Sequence, residues 1–242
     1  MKDRIRSNIE KFGRHVYCVA GGESPRFLYS IGLSVKTGFE IVLAGQVQIP
    51  SDAGAALINT MAKSLESGKS VKKLSVEFRK FGRFTLGPVH PSWSGRMALG
   101  ALDYYDRSEI KLMQVLPEPD RATIDIPPMM EPFNPDKHKV WQWLDGNWPY
   151  SIPADTSVIT NLDALQGYAI SELVRWEEGE WEMFSGPGPE VPDDELFRVP
   201  LATLLAFDKS LEAALELEVS TGLFREFDDQ GKEGPWQAWK RS

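Results

Sequence analysis

Cysteine is almost missing from this 242-residue sequence: Cys18 stands alone. An intramolecular disulfide is therefore excluded, and with it the stapled design of small secreted domains. Histidine is scarce too. His15, His90 and His138 lie far apart, and none stands in a Cys-x-x-Cys or His-Glu-x-x-His pattern, so no metal site is expected. Long apolar runs are absent: IGLSV and FEIVLAG fall far short of the roughly 20 residues that cross a bilayer. The start MKDRIRSNIEKFG lacks the apolar stretch of an export signal. The expected address is cytoplasmic.

Recognisable catalytic chemistry is missing as well. Ser30, in YSIGL, is not in a Gly-x-Ser-x-Gly elbow. Cys18 and His15 are three apart on a presumed strand, where odd spacing sends side chains to opposite faces. Cys18 is expected to be a small buried hydrophobe and His15 a surface or capping residue. Gly21-Gly22 lacks the Lys of a phosphate-binding loop, and GPGP at 186–189 suits a proline turn. The carboxylate runs lack the loop spacing of an EF-hand. No catalytic residue, cofactor or metal ligand is assigned, and a binding protein is expected before an enzyme.

What is present is an ordinary globular composition, 42% hydrophobic and 26% charged, consistent with a folded chain. The formal charge of -8 is unevenly divided. Residues 1–145 hold 20 Lys+Arg against 16 Asp+Glu, whereas residues 146–242 hold 7 against 19. An acidic surface of that kind attracts cationic partners and repels nucleic acid.

The pattern along the chain predicts an α+β protein of two mixed modules, with mostly antiparallel sheets flanked by helices. The first module, 1–148, opens with a polar helix at about 3–12. Strands follow in HVYCVAGG, SPRFLYSIGLSV and FEIVLAG, the last two joined by turn residues at Lys36-Thr37-Gly38. Ser51 is the expected N-cap of a helix that places Ala55, Ile58, Met61, Ala62 and Leu65 on one face and stops at Gly68. KLSVEF, GRFTLGPV and EIKLMQVLPEPD are further strands, and ALGALDYYD a short helix. Six prolines between 117 and 135 forbid helix and predict an extended arm closing the first module. The tryptophan cluster in KVWQWLDGNWPY is expected to glue the modules together. In the acidic second module, 154–242, a hairpin turns at Glu177-Glu178-Gly179, with Val174, Trp176 and Trp181, Met183 at same-face spacing. Asp208 caps a helix, and LFREF is the last strand.

Three surfaces can carry function. The acidic hairpin and loop, Glu177, Glu178, Glu180, Asp193, Asp194 and Glu195, with Trp176 or Trp181 as anchors, suits a basic protein partner. Arg26, Tyr29 and Ser30, in the polar-aromatic stretch GGESPRFLYS, suit an anion pocket. Lys63, Lys69, Lys72, Lys73, Arg79, Lys80 and Arg83 form a basic cluster. It lacks interleaved exposed aromatics, so nucleic acid ranks below a protein partner.

Two resemblances follow from these residues. Through Tyr29, Gly32, Leu33, Glu40, Gln114, Pro117 and Asp120, residues about 5–120 resemble the bacterial domain of unknown function 4262 family, which has no agreed activity. Ser30, Phe39 and Glu118-Pro119 depart from that family's pattern. Through Trp181, Phe184, Ser185 and Gly186, a following helix and GLFREF…GPWQAW, residues about 157–239 resemble domain of unknown function 2185, grouped with immunity proteins of bacterial toxin systems. Glu178-Gly179-Glu180 replaces the usual Asp-Ser-Gly. The second resemblance implies a cytosolic immunity or antitoxin protein that occludes a cognate, basic toxin. The alternatives are an enzyme or small-ligand protein using the first module, and a nucleic-acid-binding or adaptor protein.

Overall fold

Short apolar segments broken by glycine and proline build two six-stranded mixed sheets, each with its own helices, in the computed structural model, which describes residues 2–187 and 191–239. The α+β expectation holds. Of ten strand pairings among the described residues, eight are antiparallel and two parallel.

In the first module, α1 (Lys2–Phe12) leads into β1 (His15–Val19), β2 (Phe27–Ile31) and β3 (Glu40–Ala44), with α2 (Ser34–Thr37) in the predicted turn. After α3 (Ser51–Glu66) come β4 (Val76–Glu77), β5 (Arg83–Pro88), α4 (Ser94–Met97), α5 (Leu99–Tyr105) and β6 (Leu112–Pro117). The sheet order is β1-β2-β3-β6-β5-β4. β2 and β3 are buried along their whole length, because both faces are covered. Leu28, Ile41 and Leu43 meet α3, while Phe27, Tyr29, Val42 and Ala44 meet Trp93, Met97, Ala101 and Trp141. This explains the absence of alternation in FLYSI and EIVLA.

Three local expectations change. Ser51 is the first residue of α3 and not its cap; the N-cap position is Pro50, and the Ser51 hydroxyl accepts from Arg26 Nη1 at 3.1 Å instead. Cys18 is exposed, whereas His15 is buried and paired through Nδ1 with Asn8 Nδ2 at 2.8 Å. The two assignments are thus reversed, because α1 covers the His15 side of β1. The segment after Asp208 is a 3-10 helix, Lys209–Glu216, and Asp208 does cap it, accepting from Ser210 N at 2.8 Å.

The second module comprises β7 (Ser157–Asn161), α6 (Leu162–Leu165), β8 (Glu172–Glu177), β9 (Glu180–Phe184), β10 (Leu196–Pro200), α7 (Leu201–Phe207), β11 (Thr221–Phe224) and β12 (Gln237–Ala238). Its sheet order is β10-β7-β9-β8-β11-β12. One face packs Val158, Leu173, Trp181 and Met183 against α7 and the 3-10 helix. The other face is open in part: among the described residues Trp176, Leu196 and Trp239 stand exposed on it, while Val174 and Phe184 are buried.

The proline-rich arm is not free of helix: Pro119–Arg121 forms a 3-10 turn with proline at its start, where the missing N–H costs nothing, and the arm reaches the second module. Its Ile124 N donates to Leu165 O of the second module at 2.8 Å, while Asp125 O accepts from Trp141 Nε1 at 3.0 Å. Asp125 Oδ2 also accepts from Val47 N at 3.1 Å. Gly45, at φ +69°, leaves room for this crossing: a Cβ there would stand 2.1 Å from Asp125 O.

Candidate functional site

The hairpin β8–β9 sorts its residues by register. Val174 pairs with Glu182 and Arg175 with Trp181, so Val174 and Trp176 share one face with Glu182, while Trp181 and Met183 point to the other. Trp181 is 3% exposed, in the core beneath the Arg175 guanidinium, and is therefore unavailable as a surface anchor. Trp176 is 41% exposed. Its indole N–H donates to Glu182 Oε2 at 2.7 Å, which holds the ring on the face opposite the core.

Register also divides the expected acidic site. Leu196 pairs with Asn161, Pro200 with Ser157, and Val158 with Trp181. Asp193, Asp194 and Glu195, in the 3-10 turn before β10, therefore lie at one end of the sheet, and Glu177, Glu178 and Glu180 at the other, about 13 Å apart by strand rise. The structure brings Trp176 and Asp193 onto one shallow groove with Leu196, Glu172, Glu182 and Trp239. Trp239 and Leu196 are exposed alongside Trp176. Sequence reasoning missed Glu172, Leu196 and Trp239 as members of this surface. Trp239 joins it because its backbone N–H bonds Gly222 O on β11, itself paired with Val174 on β8, an indirect link that no local pattern announces.

The expected Arg26, Tyr29 and Ser30 pocket is not one site. Arg26 lines a cavity at the module junction, with its Nη2 donating to Gln46 O and Ile49 O at 3.2 and 2.6 Å. Tyr29 faces the opposite side of the sheet, where its ring stacks on Tyr17 at 5.5 Å and its oxygen accepts from Gly100 N at 3.0 Å. Burial pushes its hydroxyl pKa up to about 12, so it stays protonated. Ser30 is wholly buried, donates to Glu40 and accepts from Ile41 N at 2.9 Å. Nothing reaches it from solvent.

Among the described residues, no group of three or more His, Cys, Asp or Glu is placed to hold a metal ion, and no helix is long and apolar enough to cross a membrane. The basic residues from Lys63 to Arg83 are all exposed. Arg79 and Lys80 lie against the rings of Phe78 and Phe81.

No curated protein and no solved structure matches the chain. Residues 8–122, which span the first sheet and enter the arm, match the family model described as Domain of unknown function (DUF4262).

Proposed function

We propose that this chain is a binding protein of the immunity type, which neutralises a basic protein toxin by covering its cationic site with the open face of the second sheet. One observation carries the reading. Two exposed tryptophans, Trp176 and Trp239, stand in a groove edged by Glu172, Glu182 and Asp193 on the face of the second sheet opposite its core.

Aromatic anchors set among carboxylates are the composition of an energetic hot spot facing a cationic surface. The excess of 19 acidic over 7 basic residues in 146–242 supplies the long-range field that speeds encounter. The Trp176–Glu182 hydrogen bond pre-orders the anchor and lowers the entropy lost on docking. The toxin as partner rests on the sequence resemblance of residues 157–239 to immunity proteins.

The test uses capture from the native host, followed by expression of each captured protein alone and beside this chain. The reading expects a basic captured protein that arrests growth, rescue by the wild type, and loss of rescue with E172K/E182K/D193K. With E177K/E178K/E180K, at the hairpin tip, association slows while the complex still forms. A captured protein without toxicity, or full rescue by the face variant, overturns the reading.

A further inference from the structure

The two modules border a cleft of about 350 Å³, built from both sides of the junction. The β1–β2 loop contributes Gly21, Gly22 and Arg26, and the arm contributes Asp125. The second module contributes Asp155, Arg198 and Thr203. The size is that of a small-molecule site, and much of the remaining wall is apolar, from Val47, Val199 and Pro200.

Its polar groups are incompletely matched. Among the described residues the Arg26 guanidinium hydrogen-bonds two backbone carbonyls and the Ser51 hydroxyl, it feels the charge of Asp125 on the same wall without bonding it, and its buried Nε has no hydrogen-bond partner. Among the described residues no carboxylate lies within ion-pair distance of Arg26 or of Arg198. Arg198 donates to Ser157 Oγ at 3.0 Å. Thr203 is 0% exposed, and among the described residues its hydroxyl has no hydrogen-bond partner, although buried hydroxyls nearly always find one. One cation from each module and an orphan hydroxyl thus border a single cavity.

We propose that this cavity binds a small monoanionic carboxylate with a short apolar body, its charge drawn to Arg26 and Arg198 and a polar atom satisfying Thr203. The two carboxylates on the wall offset part of the charge of the two cations, so the apolar body has to supply part of the binding. Asp155 is exposed at the rim, and Asp125 is wholly buried, accepting from Thr123 and from Val47 N. A carboxylate with an apolar body fills the Val47, Val199 and Pro200 wall, which a bare phosphate leaves without contact. Because both modules line the cavity, the occupant holds them together and stabilises the fold by mass action.

The test is thermal unfolding of the full chain with sodium acetate, butyrate and benzoate, against sodium chloride at equal ionic strength and against benzamide, the neutral analogue of benzoate. At least one carboxylate raises Tm in a saturable way, and benzamide does not. Arg198→Gln and Thr203→Val, whose unliganded Tm values serve as folding controls, each weaken the apparent affinity about tenfold. Arg198 is exposed and, among the described residues, bonded only to Ser157, so its variant keeps the fold. No carboxylate effect beyond chloride, an equal effect of benzamide, or an unchanged affinity in both variants overturns the proposal.

Discussion

Burying a carboxylate without partners is prohibitive, and Glu40 shows how the fold avoids that cost. At 0% exposed, it accepts from Gly32 N at 3.0 Å, Leu33 N at 3.3 Å, Ser34 N at 2.9 Å, the Tyr105 hydroxyl at 2.6 Å and Ser30. The carboxylate thereby closes the turn between β2 and β3, satisfying backbone donors that no strand partner reaches. Glu40→Ala leaves those donors unpaired and costs about 3–5 kcal/mol; Glu40→Gln retains an acceptor and costs roughly half as much. Urea unfolding of the two variants checks the order, and equal losses would refute the acceptor role. His15 supplies a pH signature. Burial, followed by the nearby Arg4, lowers its pKa below the ordinary 6.5. Below about pH 6.5 the unfolded chain therefore takes up a proton that the folded chain resists, and stability falls as the pH drops through that window. Urea midpoints at pH 7.5 and 5.5 measure this loss. His15→Gln is expected to shrink it, and an unchanged loss would assign it to other groups.

At the scale of elements, the strands and α3 were legible because their signals are local. Turn residues at Lys36-Thr37-Gly38 and an apolar face through Ile58, Met61 and Ala62 depend on neighbours a few positions away. The parallel pairing of β3 with β6, which joins Glu40 to Leu112, has no such signature, since register across 70 residues is set by the packing of both faces. The binding face was half legible for the same reason. Alternation separates Trp176 from Arg175, but only the cross-strand register shows that Trp181 lies beneath the sheet and Trp176 above it. The Gly45 crossing was illegible, because its constraint comes from a loop 80 residues away. Gly45→Ala must both hold φ +69° and push Asp125 O from 2.1 Å, at a cost of about 2–4 kcal/mol. Gly68→Ala is the control. Its φ of +94° is equally unfavourable, but nothing lies within 4 Å, so it costs only about 1–2 kcal/mol. Comparable losses at the two sites would mean that the arm yields readily.

At the scale of the whole molecule, the charge polarity that was plain in the sequence does not bond the modules to each other. Every ion pair among the described residues lies within one module, including Arg96 with Asp145 and Arg225 with Asp208 and Glu233. The junction is instead held by packing and by hydrogen bonds of the arm. Val47 and Ile124 of the first module pack on the second core, Ala206 packs on the first, and Ile124 N reaches Leu165 O. Apolar contacts and backbone hydrogen bonds respond little to screening, whereas at 1 M salt the Debye length is only about 3 Å and attraction between oppositely charged surfaces vanishes. The modules are therefore expected to unfold together at high as well as low salt. Hydrogen exchange followed by mass spectrometry across a urea series reads this directly, with peptides from β3 reporting the first sheet and peptides from β9 the second. Coincident midpoints in 0.05 M and 1 M sodium chloride would place the coupling in the arm and its packing. Midpoints that coincide at low salt and separate at high salt would place it in the charge polarity, and the acidic module would then be an independently folding unit tethered by electrostatics.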